Sequence, residues 1–338
     1  MRLQRQIVRG ICVGLCIPVL MLCGCQPVEG TMWTRLPIPD EWMYWTISPD
    51  LRWIAYYERE RPALGRISKE GDIQDVARID VPFSEAKFSP DSAKILLMNM
   101  RGELWVADVP EVGRKRLVYQ DTTVYGMEWS PDSRWIAVVG ADFRTRVVDL
   151  EGRVQPGVVP AAPYGKIRAR HFSWCPGGRL VYAEESDDDM ILWEIDVTSG
   201  KQYVLATSGS RGFPFCSPNG AYIAITGTIK GGTLETKILD RSGKEILSSG
   251  VPTLDGGGGY YWSPDGRKFA VGVRQKDEGD RTYRDYISVL IIPEGEVIYL
   301  PGDYAYLLGW TSDSQAVILS QYAPDEMLIR LPLSSAGR

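Results

Sequence analysis

The sequence predicts an all-β fold: a seven-bladed β-propeller of four-stranded antiparallel blades, with the last blade closed by an N-terminal strand. Three observations carry this expectation. A Ser-Pro-Asp turn followed by an apolar strand recurs along the chain. Its seven copies stand 41, 41, 45, 42, 46 and 48 residues apart, which is the period of a propeller blade. The final repeat stops one strand short, while an unpaired strand-like segment at residues 32–36, MWTRL, precedes the first repeat.

The clearest copy spans residues 127–140, MEWSPDSRWIAVVG. Pro131 cannot donate a ladder hydrogen bond and fixes its own φ, so it suits a turn and not a central strand. Asp132 can accept hydrogen bonds from nearby amides and close that turn. The apolar run after Arg134 is rich in β-formers and has strand length. Ser48-Pro49-Asp50, Ser89-Pro90-Asp91, Ser130-Pro131-Asp132 and Ser263-Pro264-Asp265 keep the full motif. Cys175-Pro176-Gly177, Ser217-Pro218-Asn219 and Thr311-Ser312-Asp313 depart from it, each with turn formers.

In chain order, the first repeat supplies strands at 42–47, 53–57, 64–67 and 76–79, and the second at 85–88, 94–98, 103–107 and 116–119. The third runs 124–129, 135–139, 146–150 and 154–159, and a Pro-rich stretch then leads to 170–174. The fourth continues at 180–183, 191–196 and 202–206, and the fifth comprises 212–215, 222–226, 234–239 and 245–247. The sixth is 259–262, 269–273, 287–292 and 297–300, and the seventh 306–310, 316–319 and 327–331. A ring must close to remove its exposed edges, so residues 32–36 are expected to complete the last blade. Trp129, Trp174, Trp262 and Trp310 recur at one position of the repeat and read as packing between blades.

These repeats, an aromatic-Ser-Pro-Asp turn followed by an Ile-Ala-Phe-like strand, resemble the TolB-like and WD-repeat-like propeller families over residues 32–334. The resemblance implies a rigid platform for protein contacts. It names no partner, and no segment resembles the separate N-terminal domain of TolB or the hydrolase domain of prolyl oligopeptidase-type peptidases.

The first residues read differently. Arg2, Arg5 and Arg9 precede a short apolar segment, too short to span a bilayer comfortably. It ends in Leu22-Cys23-Gly24-Cys25, which resembles a bacterial lipobox, with Cys23 an unusual occupant. The resemblance implies cleavage after Gly24 and lipid on Cys25. The expected organisation is a signal peptide over 1–24, a lipidated tether over 25–31 and the propeller over 32–338. Gln26 is not the Asp associated with inner-membrane retention, so an outer membrane facing the periplasm is favoured in a host with two membranes.

The whole chain has 38 Lys and Arg against 43 Asp and Glu. Loss of the three leader arginines leaves 35 against 43, a net charge of −8. That balance argues against nucleic acid, whose phosphates need a basic face. Of the cysteines left after cleavage, Cys175 and Cys216 occupy neighbouring positions in adjacent repeats. Two buried free thiols are expected, with a disulfide in an oxidising compartment as the alternative.

No catalytic set, cofactor or metal site is expected. His171 is the single histidine, which argues against hydrolytic triads and multi-histidine metal sites. Asp187-Asp188-Asp189 has no calcium-loop spacing, and the glycines at 256–259 lack the Gly-Lys-Ser/Thr of a phosphate loop. Chain alternation places the second-to-third-strand turns and the inter-blade connections on one face, where the variable insertions lie. Binding is expected there, with Asp187, Asp188, Asp189, Lys276, Asp277, Glu278, Asp280 and Arg281 as candidates. The function read from these features is a lipid-anchored, non-catalytic scaffold for an envelope protein partner. An envelope enzyme acting on carbohydrate or cell-wall polymer through channel carboxylates is the alternative, as is a glycan- or small-ligand-binding propeller.

Overall fold

In the computed structural model the described residues are 35–39, 42–58, 60–142, 144–159, 172–185, 190–208, 212–228, 234–249, 259–276, 283–301, 305–311, 313–321 and 327–333. The leader, with Leu22, Cys23, Gly24 and Cys25, lies outside them. Strand β1 (Arg35–Pro37) comes first, and blade 1 follows as β2 (Trp42–Ile47), β3 (Trp53–Glu58), β4 (Arg61–Ile67) and β5 (Ile73–Arg78). Blade 2 is β6 (Glu85–Phe88), β7 (Lys94–Met98), β8 (Glu103–Asp108) and β9 (Lys115–Gln120). Blade 3 is β10 (Gly126–Trp129), β11 (Trp135–Val139), β12 (Thr145–Asp149) and β13 (Val154–Val159). Blade 4 is β14 (Phe172–Cys175), β15 (Arg179–Glu185), β16 (Met190–Asp196) and β17 (Gln202–Ser208). Blade 5 is β18 (Phe213–Cys216), β19 (Tyr222–Thr228), β20 (Leu234–Asp240) and β21 (Glu245–Ser249). Blade 6 is β22 (Tyr260–Trp262), β23 (Lys268–Lys276), β24 (Tyr283–Ile291) and β25 (Val297–Pro301). Blade 7 contributes β26 (Ala305–Trp310), β27 (Ala316–Gln321) and β28 (Met327–Pro332).

Each blade is a four-stranded antiparallel sheet, and the seventh reads β1-β28-β27-β26. The N-terminal strand therefore closes the ring as expected, with Arg35 opposite Ile329 and Pro37 opposite Met327. First strands of successive blades meet around the axis, as β2 with β6 and β14 with β18. Every interface between blades has its own buried apolar cluster. Leu36, Trp42, Ile54, Leu308 and Ile318 fill the seam between blades 7 and 1, and Leu96, Leu104, Trp129, Ile136 and Val148 fill that between blades 2 and 3.

The repeated turn is locked by one hydroxyl. Ser130 Oγ donates to Asp132 Oδ1 at 2.6 Å and accepts from the Trp135 amide at 2.8 Å. Ser48, Ser89, Ser263 and Thr311 donate in the same way to Asp50, Asp91, Asp265 and Asp313, each at 2.5 Å, and Ser217 bonds Asn219 at 2.8 Å. Pro49, Pro90, Pro131, Pro176, Pro218 and Pro264 all sit in these turns. The third residue after the hydroxyl is left-handed in every copy: Leu51, Ser92, Ser133 and Ser314 at φ 59, and Gly178, Gly220 and Gly266 near 70. That conformation costs a non-glycine residue roughly 1–2 kcal/mol. The serines gain something in return. Ser92, Ser133 and Ser314 accept a hydrogen bond from the amides of Asp50, Asp91 and Asp265 in the preceding blade, at 3.1–3.2 Å.

The tryptophan before the turn stitches neighbouring blades. Trp129, Trp174, Trp262 and Trp310 donate their indole N–H to the carbonyls of Lys87, Glu128, Phe215 and Tyr261, at 3.0, 3.3, 2.8 and 3.0 Å. In each case the acceptor lies on the first strand of the preceding blade, so these residues are inter-blade core. A Trp129→Phe substitution removes the indole N–H from the Lys87 carbonyl and, phenyl being smaller than indole, also leaves a small cavity at this buried site. It is expected to cost about 1–3 kcal/mol in urea unfolding with an unchanged m value. Ser130→Ala removes the hydroxyl from a buried turn and is expected to fall in the same range.

Candidate functional site

Strand alternation divides the connections as the sequence suggests. The Ser-Pro-Asp turns and third-to-fourth-strand turns share one face, and the second-to-third-strand turns and inter-blade connections share the other, called here the loop face. Asp187, Asp188, Asp189, Asp277, Glu278, Asp280, Arg281 and His171 lie outside the described residues. Lys276 ends β23 opposite Tyr283. The β23–β24 hairpin to which it belongs is the longest in the ring, at nine residues per strand. Among the described residues, β22 pairs only as far as Val271, and β25 only as far as Tyr286. The hairpin therefore extends beyond its own blade as a two-stranded arm on the loop face.

The best-defined part of the loop face is the junction of blades 2 and 3. Gly102 closes the β7–β8 turn through its amide to the Asn99 carbonyl, and the Asp121 amide bonds the Gly102 carbonyl at 3.1 Å. Asp121 accepts from the amides of Thr122 at 2.7 Å and Ala141 at 3.1 Å, and from Tyr119 OH at 3.2 Å. Burial works against its charge, but those donors outweigh it and hold its pKa below the ordinary value. Arg146 grips Asp142 with both terminal nitrogens, at 2.8 and 2.7 Å, keeping that carboxyl far below the usual range. On this stiff base stand Met100, 89% exposed at the turn tip, and Tyr125, 42% exposed on the inter-blade connection. Charge patterning in the sequence singled out neither residue. A solvent-facing methionine becomes legible only when the turn that displays it is placed.

At the axis, the innermost strands bring three charges together. Lys87 on β6 is buried and donates to the Met127 carbonyl at 2.7 Å and to Glu128 at 3.1 Å, with Glu85 Oε1 at 3.3 Å. Burial pulls the lysine pKa down, but the attraction of Glu128 and Glu85 outweighs it and the net shift is upward. Lys87 therefore neutralises one of the two wall carboxylates' charges and is shared between both. Periodicity hides this cluster, because Glu85 and Glu128 belong to different repeats.

The seam between blades 4 and 5 departs from the others. Cys175 takes the place of the turn hydroxyl in blade 4, and Cys216 that of the inter-blade aromatic in blade 5. The structure joins them in a disulfide with a Cα–Cα distance of 5.3 Å, so the expectation of two free thiols is overturned. The position of Cys216 faces the preceding blade, as the tryptophans do, which brings its sulfur to the blade 4 turn. Ser173 Oγ accepts from the Cys216 amide at 3.0 Å. Arg241 of blade 5 donates to Cys175 Sγ at 3.6 Å and pairs with the buried Glu194 of blade 4, which also holds Arg179 at 3.0 Å.

Among the described residues no group of three or more His, Cys, Asp or Glu side chains is placed to hold a metal ion. What the geometry presents is a closed ring with one lysine shared between two wall carboxylates, a disulfide-stapled seam and a loop face carrying exposed Met100 and Tyr125. Such an arrangement is a platform able to serve protein interaction or catalysis.

Comparison with known proteins agrees at the level of fold. No protein-family model matches the chain. It is 30% identical over 122 residues to a putative Tricorn-like protease C-terminal subunit of Sulfurisphaera tokodaii, covering 34% of this chain and 14% of that protein. The chain thus matches well under a fifth of that relative's length. Among solved structures it is similar to Kuenenia stuttgartiensis hydrazine synthase, with a TM-score of 0.57 and 17% identity over 90% of this chain and 99% of that one. At that identity the likeness concerns the fold alone.

Two outcomes test these arrangements. Lys87→Met leaves Glu85 and Glu128 facing each other without the ammonium and is expected to cost roughly 3–5 kcal/mol at neutral pH. In the parent protein the lysine's folded pKa lies above its ordinary 10.5. Its contribution is thus complete below pH 10.5 and is lost as pH rises through the higher folded value. In the variant, stability should instead recover as pH falls through the carboxylate range, read by urea unfolding at pH 4.5 and 7.5. Reduction of the disulfide, whose cysteines are 41 residues apart, should cost about 4 kcal/mol from loop closure. The check is a dithiothreitol-dependent drop in the unfolding midpoint that a Cys175→Ser/Cys216→Ser double variant does not show.

Proposed function

We propose that the protein is a lipid-anchored propeller of the bacterial cell envelope whose loop face binds a protein partner without itself being a catalyst. The observation that carries this reading is the exposed Met100, with Tyr125 on the neighbouring connection, held on the hydrogen-bonded junction of blades 2 and 3. Methionine and tyrosine are over-represented at interface cores, and a pre-ordered display lowers the ordering cost of binding. The Cys175–Cys216 bond supports an oxidising compartment. The lipobox-like Leu22-Cys23-Gly24-Cys25 supports an anchor through Cys25, in the outer membrane facing the periplasm where the host has two membranes. The repeated Ser-Pro-Asp turn supports kinship with TolB-like and WD-repeat-like propellers.

A second reading has its own support. A curated relative that matches part of this chain carries a protease name, and Glu85 and Glu128 share the channel wall on either side of Lys87. On that reading the channel holds or acts on an envelope substrate, a carbohydrate, a cell-wall polymer or a peptide, and Lys87 moves aside or binds the ligand with them.

One experiment separates the two. The anchored chain is recovered from its own envelope with crosslinking, alongside a Met100→Glu/Tyr125→Ala variant, and the purified chain is assayed on envelope polymers and peptides. A stoichiometric protein lost in the variant, with no turnover, upholds the binding reading. Turnover abolished by Glu85→Gln or Glu128→Gln, with no partner recovered, overturns it in favour of the enzyme.

A further inference from the structure

The seam between blades 5 and 6 is apolar toward the turn face and turns polar toward the loop face. Ala224 and Ile238 of blade 5 meet Trp262, Phe269, Val271 and Leu290 of blade 6 in one buried cluster. Residues two apart on a strand share a face, and β19 and β20 pair without a register shift. Thr226 therefore faces blade 6 beside Ala224, and Thr236 does so beside Ile238. The two threonines stand directly opposite one another across the β19–β20 ladder. On blade 6, Ser288 shares its face of β24 with Leu290, lies opposite Val271 and so looks back toward blade 5. Thr226 and Thr236 are 1% exposed and Ser288 2%.

This pair of hydroxyls replaces what other blades carry at the same level. Blades 2, 4 and 6 place Met98 opposite Leu104, Ala183 opposite Leu192 and Gly272 opposite Ile287 there. Among the described residues neither Thr226 Oγ1 nor Thr236 Oγ1 meets a hydrogen-bond partner. Taking a hydroxyl out of water without a partner is unfavourable, and buried polar groups are ordinarily satisfied by protein or by ordered water. The side chains of this layer are also small. Threonine, valine and serine stand next to a layer filled by Ile238, Phe269 and Leu290.

We propose that this layer is an internal water site, with a water held between the hydroxyls of Thr226 and Thr236 and faced by Ser288 from blade 6. The chemistry of the lining selects the occupant. Each hydroxyl both donates and accepts, and the three side chains are uncharged, which suits a neutral molecule over an ion. Directly opposed residues of an antiparallel pair hold their Cβ atoms roughly 4.5–5.5 Å apart, a span that one water bridges with a hydrogen bond to each oxygen. Through Ser288 the same water links blade 5 to blade 6 where their apolar contact ends.

The test compares the full chain in mild detergent with Thr226→Val, Thr236→Val and the double variant, and with Thr226→Ser, which keeps the hydroxyl. Valine keeps the shape of threonine, and an unchanged m value in urea shows that each variant is folded. Urea unfolding reads stability, and magnetic relaxation dispersion of the solvent oxygen reads long-lived internal waters. Each valine is expected to lower the urea midpoint. The double variant should fall by less than the sum of the two, because either substitution already disrupts the shared bridge. The dispersion amplitude should drop by the equivalent of one water in the double variant and not in Thr226→Ser. Midpoints that rise or stay level in the valine variants mean that the hydroxyls were dry, and they overturn the proposal. Lowered midpoints with an unchanged dispersion amplitude overturn it as well and assign the hydroxyls to partners within the protein.

Discussion

Closure of the ring is the constraint on which the remaining structure depends. Three residues of β1, paired with β28, supply the fourth strand of blade 7. Leu36 on β1 is buried in the cluster that also holds Trp42, Ile54, Leu308 and Ile318. Without it, β28 would become the outer edge of a three-stranded blade 7 and the blade 7–1 interface would lose part of its lining. Loss of that lining would weaken the ring, because each blade buries its faces only against its two neighbours. Backbone pairing across nearly the full length of the chain thus makes seven weakly self-sufficient sheets into one body.

Within that ring, the repeat succeeds by assigning one task to each side chain. The turn hydroxyl satisfies the first amide of the returning strand, the carboxylate bonds the hydroxyl, and the preceding tryptophan reaches the carbonyl of the neighbouring blade. Substitution is tolerated where an equivalent bond is recovered. Thr311 and Asn219 do so with their own polar atoms. Blades 4 and 5 lose the hydroxyl of one turn and the indole of the next together, and one disulfide spans the place where both would have acted. The covalent link is flanked by the Glu194 carboxylate with its two arginines, so the exceptional seam is held by covalent and ionic contacts.

The same frame sets what remains for function. Buried wall charges are shared around Lys87 and serve cohesion of blades 2 and 3 as well as any ligand. The turn face is occupied by repeated, mutually bonded turns. What is left to vary is the loop face, with Met100, Tyr125 and the extended β23–β24 hairpin.

Periodic features were legible in the sequence because a propeller repeats the same physical solution. The spacing of Ser48 through Thr311 foretold seven blades, the Trp129-type positions foretold inter-blade packing, and the missing last strand foretold closure by the N-terminus. The structure shifts strand limits by a few residues, starting β4 at Arg61 where the sequence placed residue 64, since pairing to a neighbour extends a strand past its apolar run. Contacts between repeats were not legible. Periodicity aligns Cys175 with Ser217, whereas the ring sets its sulfur against Cys216, one residue before that serine in the next repeat. The Glu85–Lys87–Glu128 cluster likewise depends on which residues two blades bring together at the axis. Local sequence determines the blade, because its turn and strand bonds are short-range. Only tertiary packing decides the seams, the channel and the edges, because each is made by residues from more than one repeat.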